Sequence, residues 1–254
     1  MTGLACLSMI ILLVIALVFR RVRPRPREHE HCAERSGLSQ ITFESSYENL
    51  ENEEKRQYQI GPKFTETGIL GLKLPLSIKA ALRTAWLYRT SVTEIAEEEV
   101  DFLYTKTQSV PSIYYDVQLI DPVATSTLVE FLKNKLAQWT SVSDLQLTSV
   151  YGFREYKPGA VLKMHVDKFQ THALSAIVNV RKENTPWPLV AYDHHRRQHA
   201  VYFDDFDVLL YESGTVIHGR PIPYTGSSFV NVFVHFTCSD WKEKVAKPME
   251  AEGY

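Results

Sequence analysis

Between Leu145 and Phe236 the chain falls into short β-rich runs broken by turn residues: LQLTSVYGFREY, VLKMHVD, ALSAIVNV, HAVYF, DVLLYES and SSFVNVFVHF. Helical patterns lie only ahead of them, so this spacing predicts a β-sandwich or jelly roll rather than a parallel α/β sheet. One helical pattern covers Leu76 to Arg89, LSIKAALRTAWLYR. A clearer one starts at Pro122, where Asp121 can cap and Pro122 suits the first turn. Its residues Leu128, Phe131, Leu132, Leu136 and Trp139 form one stripe, which should lie against a sheet. The expected class is therefore mainly β with supporting helices (α+β), and no internal repeat is visible.

The chain has 254 residues, 44% of them hydrophobic, enough to bury a sizeable core. A net charge of -2 gives no field that would gather a polyanion, so nucleic acid is not an expected partner. Cys6, Cys32 and Cys238 are too few and too far apart for a disulfide framework or a four-cysteine zinc site.

Leu4 to Phe19, LACLSMIILLVIALVF, carries no charge. At about 1.5 Å per residue it spans roughly 24 Å, and Arg20 and Arg21 can snorkel to complete a bilayer crossing. The expectation is an N-terminal transmembrane helix, the protein meeting the membrane through residues 4–19. A cleaved signal peptide is the competing reading, but a basic n-region and a small-x-small site are missing. The positive flank Arg20 to Arg27 places the remainder of the chain on the cytoplasmic side. The division expected is an anchor at 1–21, a disordered stalk at 22–58, a folded domain at 59–245 and a tail at 246–254. Within the domain, 59–142 would be helical support and 143–238 the β core. The stalk is Pro/Arg-rich and then Glu/Asn/Ser-rich, and its HEHC run, His29 to Cys32, lacks partners at ligand spacing.

Chemistry concentrates in KMHVDKF. Strand alternation puts Lys163, His165 and Asp167 on one face and Leu162, Met164 and Val166 on the other. A half-exposed strand would show the same pattern. His218, 53 residues beyond His165, closes the strand-like run VLLYESGTVIH and is followed by a Gly-Arg-Pro turn. Two imidazoles and one carboxylate, arranged facially, leave positions open on iron for a co-substrate and dioxygen.

The stretches YGFREYKPGAVLKMHVD, HALSAIVNV, PWPL (Pro186 to Leu189), LLYES and HGRPIPYTGSSFVNVFVHF resemble the prolyl-4-hydroxylase-like branch of the Fe(II)/2-oxoglutarate dioxygenases. The resemblance runs from about Trp139 to Phe236. It implies a double-stranded β-helix, with His165, Asp167 and His218 as catalytic iron ligands. It also implies decarboxylation of 2-oxoglutarate to succinate with O₂, coupled to hydroxylation of a C–H bond, with ascorbate as an optional reductant. A polypeptide side chain such as proline is the substrate it suggests; a small molecule stays open. Tyr156 sits where the family places a tyrosine near the co-substrate. The family's usual basic residue on the last strand is replaced by Ser227 and Ser228, leaving Ser228 and Asn231 as uncharged polar groups toward the co-substrate. Arg220 is the nearest replacement in sequence and Arg181 a second. This departure motivates an alternative, a non-catalytic metal-binding jelly-roll interaction domain that has lost 2-oxoglutarate. Asp205-Phe206 replaces a usual Pro-Gly, and since Phe resists positive φ a different turn is expected. The family's better-known members work in the secretory lumen, against the cytoplasmic side favoured by the charge flank.

Other signals are set aside. DHHRRQH, Asp193 to His199, reads as a solvated hairpin. His172 is structural or substrate-facing, and His235 shares a face with Phe229, Asn231 and Phe233 as an interior histidine with its bonds satisfied. Cys238 has no base at motif spacing and no nucleophilic role.

Overall fold

The computed structural model describes residues 38–88, the backbone of 112–115, and residues 122–254. The chain divides into Met1–Ser36 and Gly37–Tyr254, and every described element belongs to the second unit. The expected anchor at 4–19, the His29–Cys32 run and the Asp121 cap lie outside the described residues. Among the described residues no helix is long and apolar enough to cross a membrane.

Strands, numbered in chain order, form two antiparallel sheets. Ile69–Lys73 (β1), Ser112–Tyr115 (β2), Gln146–Tyr156 (β3), Leu174–Lys182 (β5), Asp207–Tyr211 (β8) and Phe229–Thr237 (β10) run in the order β1-β8-β5-β10-β3-β2. Leu162–His165 (β4), Leu189–Tyr192 (β6), Gln198–Val201 (β7) and His218–Arg220 (β9) run in the order β4-β9-β6-β7. Leu162 and Leu189 of the smaller sheet share one apolar cluster with Ile177, Leu209 and Phe229 of the larger, so the two sheets enclose a common interior. This is the mainly β, jelly-roll architecture expected. Strands β1 and β2 complete the larger sheet from within the stretch expected to be helical support; each is short, of five and four residues.

Alternation along β10 decides what each face does. Val230, Val232, Val234 and Phe236 point outward into a second cluster with Leu82 of Leu76–Leu87 (helix α3) and Leu128, Leu132 and Leu136 of Pro122–Thr140 (helix α4). The leucines of the stripe read on α4 are thus buried, each contributing about 1.5–3 kcal/mol of transfer free energy, while Phe131 and Trp139 pack against the same cluster only partly buried. Phe229, Asn231, Phe233 and His235 occupy the inward face, where side-chain period two requires them to be.

Two boundaries differ from expectation. The region read as a disordered stalk holds, from residue 38, a 3₁₀ turn and two helices, Phe43–Glu48 (α1) and Asn52–Ile60 (α2). Thr42 caps α1, accepting from Ser45 N at 3.2 Å. The few large apolar residues here fall on one side and dock together: Phe43 meets Tyr47, Tyr58 and Tyr192 with ring centroids 5.6–5.9 Å apart. With Leu38 and Leu50 they cover Met164, Val166 and Ile217 on the outer face of the smaller sheet. Low apolar density concealed a complete docking stripe. The expected tail, likewise, continues a helical run through Ser239–Trp241 (α5), a π turn at Lys242–Ala246 and Lys247–Ala251 (α6), which buries Trp241, Val245 and Met249 in the outer core.

Three local readings are corrected as well. His218 does not close the strand before it: β8 ends at Tyr211, a turn closed by Val216 N donating to Glu212 O at 2.8 Å intervenes, and His218 opens β9. The alternation assumed for β4 fails at an irregularity between Leu162 and His165, so Leu162 also faces the interior. Phe206 does take a positive φ, 65°. Its ring is buried and its N–H donates to Asn179 O at 2.6 Å, so tertiary contacts outweigh a local cost of about 1–2 kcal/mol.

Candidate metal centre

β4 and β9 pair so that His165 stands opposite His218, with ring centroids 4.4 Å apart. Gly219 permits that closeness, because a Cβ there would sit 2.6 Å from Lys163 O. Each imidazole is fixed by its own backbone two residues earlier: His165 Nδ1 lies 2.8 Å from Lys163 O, and His218 Nδ1 lies 2.8 Å from Val216 O. A carbonyl oxygen can only accept, so both Nδ1 atoms carry the proton and both Nε2 atoms turn inward.

Inward they face one carboxylate oxygen. Asp167 Oδ1 lies 3.4 Å from His165 Nε2 and 3.5 Å from His218 Nε2, longer than the 2.7–3.2 Å of a normal hydrogen bond. All three residues are buried, and their ligand atoms lie within 4.8 Å of one another. Three acceptors thus surround a small space instead of bonding each other closely, which is the donor set and spacing a divalent cation fits. Burial alone would raise the Asp167 carboxyl, but the adjoining imidazoles hold it well below the usual carboxylate range. Burial and the nearby His165 push His218 down, toward the neutral form a metal needs.

Asp167 is itself held. Its N–H donates to Ser213 O at 2.8 Å, and its Oδ2 meets the Tyr211 hydroxyl at 3.4 Å and His235 Nδ1 at 3.6 Å. His235 also bonds Ser175 Oγ at 2.7 Å, which makes it the satisfied interior histidine expected. His172 packs against it with centroids 3.8 Å apart and the rings tilted by 42°.

The three residues line a pocket between the two sheets. Tyr156, Arg154 and Arg220 border it as well. Arg220 is 1% exposed, and its guanidinium lies 4.5 Å from the Trp187 ring centroid and 4.6 Å from that of Phe229. It donates to Trp187 O and, at 3.3 Å, to Asn231 Oδ1. Asn231 Nδ2 in turn donates to Asn179 Oδ1 at 3.0 Å, so Asn231 orients the arginine from outside the pocket lining. The Tyr156 hydroxyl is buried, with the Arg154 guanidinium beside it.

EctD from S. alaskensis, solved with 2-oxoglutarate and 5-hydroxyectoine, matches with a TM-score of 0.50 at 16% identity, over 72% of this chain and 75% of that one. The chain has the fold of the 2-oxoglutarate, Fe(II) oxygenases. Two further structures are similar at slightly lower scores. A Pseudomonas putida prolyl-4-hydroxylase gives 0.49 at 16% identity over 72% of this chain and 98% of that one. HygX from Streptomyces hygroscopicus, with nickel and 2-oxoglutarate bound, gives 0.48 at 13% identity over 75% and 88%. No family model matches the sequence, and no curated protein matches it.

Within this oxygenase fold the expected co-substrate residues separate. Arg220 and Tyr156 reach the pocket. Ser228 does not: its hydroxyl donates to Glu155 Oε1 at 2.6 Å, while Ser227 donates to Glu183. Arg181, the second replacement considered, lies 3.9 Å from Glu183 on an exposed surface. Arg154, overlooked in the sequence, is 3% exposed and lies 4.7 Å from the Tyr156 ring centroid. It stands two residues before Tyr156 on one strand, so alternation alone would have put it on the same face. The DHHRRQH run is a hairpin turn, but a less solvated one than expected. Asp193 is buried and accepts from His195 N, Arg197 N and His199 Nε2 at 2.8–2.9 Å.

Proposed function

We propose that this protein is an Fe(II)- and 2-oxoglutarate-dependent oxygenase that hydroxylates a polypeptide side chain, proline being the first to test, and that residues 4–19 tether it to a membrane. The observation carrying the reading is that a buried guanidinium, Arg220, borders the same pocket as His165, Asp167 and His218. His165, Asp167 and His218 would hold the iron. Iron bound there, with 2-oxoglutarate and dioxygen, supplies the chemistry that yields succinate, carbon dioxide and a hydroxylated C–H bond. Two residues along a strand, about 6.6 Å, separate His218 from Arg220, within reach of a five-carbon dicarboxylate. Arg220 neutralises the far carboxylate, and the Tyr156 hydroxyl gives a further donor. The rings of Trp187 and Phe229 keep water from the guanidinium, which strengthens a charge-assisted pair. The substrate class rests on the sequence resemblance, and the tether on the uncharged run at residues 4–19. The lumenal or cytoplasmic side is an open part of the proposal.

The rival reading, a metal-binding domain without co-substrate, was motivated by Ser227 and Ser228; a guanidinium in the pocket removes that motive. The test is succinate formation by the full chain with Fe(II), 2-oxoglutarate, ascorbate and O₂. Turnover above that of a His165→Ala/His218→Ala double variant supports the proposal, and equal turnover defeats it.

A further inference from the structure

The loop carrying Asp167 is fastened by a side chain from outside the two sheets. Gln57, on α2, is 1% exposed. Its Nε2 donates to Asp167 O at 2.7 Å and to Gly214 O at 2.9 Å. Asp167 lies just beyond the end of β4, and Gly214 lies in the turn between β8 and β9. One amide therefore ties the segment that delivers Asp167 to the segment that delivers His218. The same two segments are joined from the other side of the residue, where Asp167 N donates to Ser213 O at 2.8 Å. With N–H and C=O both held, the direction of the Asp167 side chain is set. The Tyr211 hydroxyl at Oδ2 then leaves Oδ1 facing the imidazoles.

We propose that Gln57 is a positioning residue of the metal centre, its two hydrogen bonds setting how tightly the site holds a divalent cation. The proposal rests on the reading of His165, Asp167 and His218 as that cation's ligands. Its physical basis is that removing the amide leaves two buried carbonyls without this donor, and buried carbonyls shift to find another. The Asp167 loop and the His218 turn would then relax separately. A ligand set whose members move independently binds more weakly, because ordering them must be done at the moment of binding. The helix read in the sequence as disordered stalk thus becomes part of the site's framework, and nothing local in NEEKRQYQI announces it.

The experiment is calorimetric titration of Mn(II) into the full chain, which gives stoichiometry and Kd separately. The variants are Gln57→Met, similar in length but without a donor, and Gln57→Asn, which keeps the amide one methylene short. Metal-free thermal melts run alongside. The expected result is one Mn(II) per chain in each variant, with Kd raised about tenfold or more. Wild-type Kd in both variants overturns the proposal, whatever the melts show. So does a reduced stoichiometry at unchanged Kd, since that marks partial unfolding and not a loosened site. A wild-type chain that binds no Mn(II), or a His218→Ala chain that binds it equally well, overturns the underlying reading and this proposal together.

Discussion

His165 and His218 stand opposite each other in an antiparallel pair, each with Nδ1 spent on a carbonyl two residues back and Nε2 directed at Asp167 Oδ1. The orientation belongs to the backbone, so it exists before any metal arrives. Mn(II) at a hundred times its Kd should then add about 2.7 kcal/mol to the stability of the wild-type chain. His218→Ala should abolish that increment. Thermal melting with and without Mn(II) measures both, and a retained increment in the variant would remove His218 from the ligand set.

Arg220 carries the second prediction. Arg220→Leu should weaken 2-oxoglutarate binding to the Mn(II)-loaded protein about a hundredfold, the loss of a charge-assisted pair in a water-poor pocket. Mn(II) affinity without co-substrate should stay unchanged, since Arg220 is not a ligand. Arg220→Lys should recover only part of the loss, because an ammonium cannot stack flat between Trp187 and Phe229. Unaltered 2-oxoglutarate affinity in Arg220→Leu would move the anionic end elsewhere, Arg154 being the neighbouring candidate.

Periodicity made the α4 stripe and the inward face of β10 legible, since each depends on residues close in sequence, whereas His165 and His218 were picked out by residue type and spacing and the strand geometry read around them needed correction. What was hidden depends on partners remote in the chain. Ser228 reads as a co-substrate group until Glu155, on the adjacent strand, takes its hydroxyl. Gln57 reads as one polar residue among many until it meets Asp167 O, 110 positions away. Phe206 reads as unable to take a left-handed backbone until burial of its ring is weighed against the local cost. Tyr211 and Arg154 form an intermediate case: both can be placed by alternation once the inward face is known.

Asp193 makes the hairpin tip sensitive to acid. Burial raises its carboxyl, but the hydrogen bond from His199 and the N–H groups of Arg197 and His195 outweigh it, and its folded pKa lies below the usual value. A depressed folded pKa contributes stability that is fully present above the unfolded pKa, about 3.9, and is lost as pH falls through the folded one. Asp193→Asn should therefore be less stable than wild type by about 1–2 kcal/mol near pH 6, with the gap closing below about pH 4. Denaturant unfolding at several pH values measures it; a gap that does not narrow in acid would show that the carboxylate's charge is not what the turn uses.

Phe206 offers a test of how the fold overrides a local preference. Its φ of 65° is a conformation glycine takes freely and other residues resist, yet its ring is 4% exposed in the outer core. If burial holds it there, removing the ring should cost about 3–5 kcal/mol in Phe206→Ala. The backbone strain would persist in that variant, because alanine has a Cβ too. Phe206→Gly loses the same ring and sheds the strain, so it should be more stable than Phe206→Ala by about 1 kcal/mol, reversing the order usual in helices and strands. Both should fall below wild type in denaturant unfolding. An alanine variant as stable as the glycine one would mean that the backbone around Asp205 and Phe206 relaxes to negative φ once the ring is gone, and that the ring alone imposes the turn.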